Sequence, residues 1–323
     1  MSTSDEDTLA SIGEQAVLAR IFPRLPASSS QLLGPGDDAA VIAAPDGRSV
    51  VTTDMMIHGP DFRLAWSTPH DLGWKAAASN LSDVAAMGAV PTALVVAIAA
   101  PSDSPVSLLE GIADGLRDAC ELLAPGCGVV GGDLSVSPTL TIAVTAFGNL
   151  EGRAPVLRSG ARAGDIVAVA GDLGLAAQAL LLLFEHAMVE RVPDARLASL
   201  LRDRTAAQLA PRPPISSGRT AALAGASAML DLSDGLALDA GRLAGASGVR
   251  IDFDSALLGA DAALALSGGE DHSLLATFPA GTTLPSGFRR VGDCRTGEGI
   301  ALDGIDHDGS GWDPYREWDE TAG

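Results

Sequence analysis

The chain has 323 residues and carries 41 Asp and Glu against 21 Lys and Arg, a formal net charge of −20. Such a charge is repelled by nucleic-acid backbone and by anionic membrane surface, which excludes both as partners. The only lysine, Lys75, stands between Trp74 and Ala76, so there is no Gly-Lys-Ser/Thr phosphate loop.

Residues 8–22 read as an amphipathic helix with Leu9, Ile12, Val17, Leu18 and Ile21 apolar. Val50–Thr53 is a short strand ending at Asp54. Thr68-Pro69-His70-Asp71 is a helix start, with Thr at the cap, Pro at the first position and an acid at the third; this helix runs to Met87 and stops at Gly88. Ala93–Ala100 is a buried strand, far short of the roughly 20 residues that span a bilayer. Leu108–Leu123 is a helix and Thr139–Phe147 an alternating strand. The Gly-, Arg- and Ala-rich stretch 151–164 has little apolar periodicity and reads as a connection. Beyond it come a strand (Ile166–Ala170), a helix (Leu175–His186) and a proline-bearing loop over 203–220. A strand (Ala228–Leu232), a helix (Leu236–Ala246) and a strand (Val249–Phe253) follow. The turn Ser267–Asp271 leads into a strand over His272–Thr277, and the tail from Gly299 reads as loop. This order predicts an α/β protein of two domains of similar size, 1–150 and 151–323. Met1–Glu6 is polar and acidic, unlike a secretory leader, and Cys120, Cys127 and Cys294 lack metal-ligand spacing; reduced thiols in the cytoplasm are the expectation.

The acids are unevenly spread. Between Gln31 and Val90 there are seven aspartates, no glutamate and three basic residues. Asp37 and Asp38 follow Gly34-Pro35-Gly36, Asp54 ends a strand, and Asp83 shares a helix face with Asn80. Asp133 follows Gly131-Gly132; Asp231 and Asp234 bracket Leu232-Ser233 where a strand meets a helix. Short, stiff carboxylates at element ends suit ligation of hard cations. If they converge, their mutual repulsion demands compensation. Mg²⁺ takes oxygen ligands, keeps several waters and is shared with substrate phosphates. The inference is a phosphate site holding several Mg²⁺ ions, in which metal supplies the charge that a phosphate-loop lysine supplies elsewhere. Plainer readings stand beside it: Asp46 as a turn residue, Asp71 as a helix cap, Asp37-Asp38 as a surface turn and Asp234 as an N-cap.

Seven segments then resemble, in order, the motifs of the thiamine-monophosphate kinase family. They are Gly34–Val41; Thr52-Thr53-Asp54-Met55; Gly73–Ala89 with its Asn80-Leu81-Ser82-Asp83 centre; Gly131-Gly132-Asp133; Leu157–Ala161; Asp231–Leu236; and Ser267–Asp271. The likeness runs from about residue 12 to Trp312. It places the chain in the superfamily of aminoimidazole-ribonucleotide synthetase and selenophosphate synthetase. It implies an N-terminal domain that binds ATP and Mg²⁺ and forms a homodimer through its sheet, and a C-terminal α/β domain that completes the active site. The implied reaction is direct in-line transfer of the ATP γ-phosphoryl group to thiamine monophosphate, giving thiamine diphosphate and ADP without a phosphoenzyme.

By the same resemblance Asp38, Thr52, Thr53, Asp54, Asp83, Asp133 and Asp231 match metal-ligand positions. Asp234 matches a further metal position near the transferred phosphate, and it and Asp83 are the residues expected to carry catalysis. Gly132, Asp133, Arg158 and Ser233 match nucleotide contacts; Glu270 and Trp312 match positions that hold the thiamine part. Asp61 occupies a substrate-contact position where the family often has His. Lys75 is a phosphate contact or a structural ion pair. The segment between Phe253 and Ser267 is shorter than in the family and short enough to lack a helix. Trp318 is a second candidate stacking residue, and Tyr315 stands where Phe is usual. The alternatives are a ring-closing, ATP-using member of the superfamily and a non-enzymatic acidic binder of divalent cations. The first lacks support from Gly268-Gly269-Glu270-Asp271, and selenophosphate synthetase would want an N-terminal Cys, whereas the first here is Cys120.

Overall fold

The computed structural model describes residues 7–34, 39–309 and 311. The helix expected over 8–22 is two, α1 (Leu9–Ile12) and α2 (Glu14–Ile21), because Gly13 between them takes a φ of +76° that a helix does not accept. A small ribbon of β1 (Gln31–Leu33) and β2 (Val41–Ile42) follows. Strand β3 (Val50–Ile57) continues past Asp54, so this aspartate lies inside a strand and not at its end. Helix α3 (Pro69–Ala86) begins as expected. The Thr68 hydroxyl accepts from the Asp71 N–H, and the Asp71 carboxylate accepts from the Thr68 N–H at 2.8 Å. Arg202 pairs with the other Asp71 oxygen at 2.5 Å, so Asp71 is a buried cap.

Strand β4 (Val90–Ala100), helix α4 (Val106–Leu123), and strands β5 (Gly128–Val136) and β6 (Thr141–Asn149) complete a four-stranded sheet of order β3-β6-β4-β5. Only the β4–β5 pair is parallel. Residues 151–164 form neither helix nor strand and lead into a second sheet. There β7 (Ile166–Ala170) is followed by α5 (Leu175–His186), the ribbon β8 (Met188–Val189) and β9 (Val192–Pro193), then α6 (Ala195–Leu209) and α7 (Ile215–Leu223). Next come β10 (Ala228–Leu232), α8 (Leu236–Ser247), β11 (Arg250–Phe253), α9 (Ala262–Ser267), β12 (Ser273–Phe278), β13 (Phe288–Arg295), β14 (Gly299–Leu302) and β15 (Ile305–His307). The seven strands run in the order β10-β12-β7-β13-β11-β14-β15.

Three expectations are corrected here. The loop expected over 203–220 shrinks to 210–214, around Pro211, Pro213 and Pro214; helix α6, capped by the Asp194 carboxylate, reaches Leu209. The short 254–266 segment does not lack a helix. It carries a 3-10 turn at Ser255–Leu257 and α9, whose cap Asp261 accepts from the Leu264 N–H at 2.9 Å. The tail is not loop throughout, because β14 and β15 form a hairpin. They turn at Asp303 and Gly304, with φ of +52° and +79°, the Asp-Gly signature of a tight turn.

Helix α3 is the hub. Fifteen of its 18 residues are buried, a load that only a sequence of Ala, Ser, Gly and a few larger residues tolerates on every face. It packs on α4, on the inner face of the first sheet and on β10 and α7 of the second unit. The helices approach at backbone distance. A Cβ on Gly115 would stand 2.0 Å from the His70 carbonyl oxygen, and one on Gly218 of α7 would stand 2.0 Å from that of Ala85. The apolar core consequently runs unbroken from Val17 through Leu81 and Val84 to Met229, Leu274 and Phe278.

Candidate active site

Two turns distant in sequence meet beside α3. Strand β10 pairs with β12, with Leu232 opposite Ser273. Beyond the paired ends the His272 N–H donates to the Leu232 carbonyl at 3.0 Å, and the Glu270 N–H to the Ser233 carbonyl at 2.7 Å. The turn Ser233-Asp234-Gly235 thus lies against Gly268–His272. Both Glu270 and His272 take a positive φ, +66° and +51°, uncommon for residues with a side chain.

On one side of these turns the carboxylates gather. Thr52 and Asp54 project from β3 toward α3. The Thr52 hydroxyl donates to Asp83 at 2.9 Å, and the Asp54 N–H donates to the Asn80 side-chain oxygen at 3.1 Å. Ser82 donates to Asp231 at 3.4 Å, and the buried His272 ring has Nδ1 3.6 Å from the same carboxylate. Burial, then the charges of Asp231 and Asp54, push the Asp83 carboxyl up to about 7. Asp54 is raised by burial and by Asp231, Asp234 and Asp61, with His272 opposing. Burial disfavours a charged His272, but Asp231 and Glu270 together raise the imidazole. Asp234 pairs with Arg242 at 2.6 Å, and its N–H donates to the buried Asp239; the cap of α8 is Gly235, not Asp234. Among the described residues, no three acidic, His or Cys side chains already surround one point where an ion could sit.

On the other side of the turns is a cavity of about 570 Å³. Asp61, Lys75, Gln208 and Glu270 supply its polar wall, and Trp66 and Phe184 its aromatic one. The two rings meet edge to face at 5.0 Å, with the Arg63 guanidinium 5.0 Å from each centroid. Lys75 Nζ lies 3.2 Å from Glu270 Oε1, so the single lysine is an ion-pair partner. Burial opposes ionisation of Glu270, but Lys75, Gln208 and His272 prevail and hold it below the usual range. Asp61 is raised by burial even though its carboxylate accepts from the Ile57 N–H at 2.7 Å. Asp271 faces away, capping α5 by accepting from the Gly174 and Ala176 N–H groups.

Not every candidate joins this constellation. Thr53 alternates to the far sheet face, where its hydroxyl meets the Thr145 hydroxyl at 3.1 Å. Gly132 and Asp133 lie on the opposite edge strand. Register carries Asp54 across Val144 and Val96 to Gly132, three strand spacings or roughly 14 Å away. They line a larger, apolar cavity of about 730 Å³ over β4, β5 and α4, away from the acidic cluster. Arg158 is exposed on the segment beside β10, where the Met229 N–H donates to the Leu157 carbonyl at 3.2 Å. Asp38, Trp312 and Trp318 lie outside the described residues. Sequence reasoning missed His272, Gln208, Trp66 and Phe184. A Trp three residues beyond Arg63 and an amphipathic run from Asp194 were the available signals.

Comparison with known proteins gives the family. Residues 36–150 match the family model "AIR synthase related protein, N-terminal domain". The thiamine-monophosphate kinase of Mycobacterium tuberculosis is 42% identical over 98% of this chain and 93% of its own length. The chain belongs to the thiamine-monophosphate kinase family. The relative from Bacillus subtilis is 34% identical over 80% of this chain and 81% of its own. Among solved structures, AaThiL complexed with AMPPCP and TMP superposes with a TM-score of 0.73 at 33% identity, covering 85% of this chain and 90% of that one. The enzyme class expected from the motifs, a kinase, is the class of this family. No helix of the described residues is long and apolar enough to cross a membrane.

Proposed function

We propose that the protein transfers the γ-phosphoryl group of ATP in line to thiamine monophosphate, forming thiamine diphosphate and ADP with no phosphoenzyme. The observation that carries this reading is the contact between the Ser233–Gly235 and Gly268–His272 turns, which sets a carboxylate cluster directly beside a cavity with aromatic walls. Several Mg²⁺ ions fit the cluster. Its donors are hard oxygens, and the Asp83 carboxyl, raised first by burial and then by the charges of Asp231 and Asp54, is one that a divalent cation would help to ionise. Asp54, Asp83 and Asp231 would hold the ions, with Asp234, Asp38 and Thr52 as further candidates; Thr53, on the far sheet face, and Asp133, on the opposite edge strand, would need an ion elsewhere than in this cluster. The lack of a closed cage suits Mg²⁺, which draws many ligands from water and phosphate. Bound there, the metal would neutralise charge on the transferring phosphoryl group. Thr52 and Asn80 orient the strand and helix carboxylates. Gly132, Asp133, Arg158 and Ser233 are the candidate nucleotide contacts, and the apolar cavity at Gly132 suits a purine ring. Glu270, Asp61 and Trp312 are the candidate contacts for the thiamine part. The acceptor phosphate is already ionised at neutral pH and needs no general base.

We further propose a homodimer through the uncovered face of the first sheet. Val51 and Met55 are exposed there by 57% and 58%, and a second copy with the same face is its natural cover. The residues 1–150 then form the nucleotide, metal and dimerisation domain, and 151–323 the domain that completes the site, in the cytoplasm.

The test is direct. Purified protein with ATP, Mg²⁺ and thiamine monophosphate should yield thiamine diphosphate, and EDTA should abolish the yield. ATP consumed only with aminoimidazole precursors, with no thiamine diphosphate formed, would overturn the assignment.

A further inference from the structure

Gln208 presents an anomaly. It is 94% buried at the end of α6 and lines the 570 Å³ cavity, yet its side-chain oxygen has no hydrogen-bond partner among the described residues. Buried polar atoms are rarely left so, and such an atom at a cavity wall points to a missing ligand group. The amide cannot turn round to repair this. Its nitrogen donates to Glu270 Oε2, and an ionised carboxylate only accepts, so the nitrogen must face Glu270 and the oxygen must face elsewhere. Lys75 engages the other Glu270 oxygen at 3.2 Å. Each carboxylate oxygen therefore keeps lone-pair capacity toward the half-open side of Glu270. The result is two neighbouring acceptors on one wall, the Gln208 amide nitrogen being turned toward Glu270.

We infer that Gln208 and Glu270 together form a two-acceptor seat for an exocyclic amino group on the substrate ring, with Lys75 holding the Glu270 carboxylate in place through its Oε1 oxygen. This rests on the reading of the cavity as the place of thiamine monophosphate, whose aminopyrimidine carries such a group. One amino N–H meets Glu270, and the other meets the Gln208 oxygen. A ring bearing an oxo group at that position brings an acceptor to two acceptors and leaves its own oxygen and the Gln208 oxygen unpaired, so it is disfavoured. Gln208 is thus a specificity-determining residue supplied by a helix outside the recognisable motifs, and Lys75 is a positioning residue that acts through Glu270.

The test compares thiamine monophosphate with its 4-oxo analogue on the full-length protein. Wild type should favour the amino substrate in kcat/KM by at least about a hundredfold. Gln208→Met, which keeps the volume and removes both polar groups, should raise KM for thiamine monophosphate about tenfold. It should leave KM for ATP within twofold and cut the amino/oxo preference to tenfold or less. Gln208→Asn, with the same groups on a shorter stem, should regain part of the preference. If Gln208→Met does not fold, wild type bound to thiamine monophosphate labelled with ¹⁵N at the amino group gives the answer. Two separate, protected N–H resonances support the seat, and one averaged resonance overturns it. Unchanged discrimination in Gln208→Met overturns the seat while the kinase reading stands. A wild type that neither binds nor phosphorylates thiamine monophosphate overturns both.

Discussion

Replacing Asp83 by Asn should make the protein more stable and less active at the same time. In the metal-free protein the carboxyl lies at about 7 instead of 3.8, through burial first and then the charges of Asp231 and Asp54. At about 1.4 kcal/mol per tenfold change in proton affinity, ionising it in the folded state costs roughly 4 kcal/mol. The side chain reaches some solvent and three carboxylates share the repulsion, so about half, ~2 kcal/mol, is the effect expected on removing one charge. The sign follows from the direction. A raised carboxyl binds its proton more tightly in the folded chain, so stability falls as pH climbs from about 4 and the loss is complete somewhat above 7. Asp83→Asn should therefore match wild type near pH 4.5 and melt about 4 °C higher at pH 8.5 in EDTA. Added Mg²⁺ with an ATP analogue should raise the wild-type melting temperature more than that of the variant, and the variant's kcat should drop at least about a hundredfold. Thermal melts at the two pH values, with and without Mg²⁺, read all of this. If Asp83→Asn melts no higher than wild type at pH 8.5 in EDTA, the repulsion argument is wrong. If Mg²⁺ stabilises both proteins equally, Asp83 is not a ligand.

Other substitutions probe separate links. Trp66→Leu removes a face of the aromatic wall and should raise KM for thiamine monophosphate roughly five- to tenfold with ATP kinetics unchanged; an equal rise in both KM values would contradict the division of the two sites. Gly218→Ala drives a methyl group against the Ala85 carbonyl 2.0 Å away and should cost about 3 kcal/mol in urea unfolding, and a variant as stable as wild type would show that α7 can shift freely. Asp271→Ala uncaps α5 and should cost ~1–2 kcal/mol; lost activity with an unchanged melting temperature would mean that the motif aspartate works in catalysis instead.

Local chemistry was legible where it is local. The Thr68–Asp71 cap, the strands at Ile166–Ala170 and Ala228–Leu232 and the helix at Leu175–His186 stand where periodicity and capping residues put them. The aspartates were equally visible, but Asp54 and Asp133 fall inside strands and not at their ends, and the grouping of the acids was not legible. Whether Asp133 sits near Asp54 depends on strand order, and the order β3-β6-β4-β5 puts the two on opposite edges. The proline cluster at 211–214 masked α6, because breakers weigh on a sequence reading more than a weak amphipathic stripe does, and Gln208 was hidden with it. His272 was unreadable for another reason. One histidine at a strand end means nothing until the pairing of β10 with β12 brings it to Asp231.

The enclosure of α3 also sets a length. Lys75 holds the Glu270 wall of the cavity, and Asp83 belongs to the carboxylate cluster; eight residues of helix separate them, about 12 Å along the axis. Packed on every face, this helix can neither stretch nor slide to suit a guest. In the proposed function it is a fixed gauge between the group assigned to the ring and the group assigned to the phosphate. If those two groups do hold the two ends of the substrate, a molecule of the wrong reach would be turned away however well either end fits, and a new reach would mean rebuilding the turns at 233–235 and 268–272, since the helix itself is locked in the core.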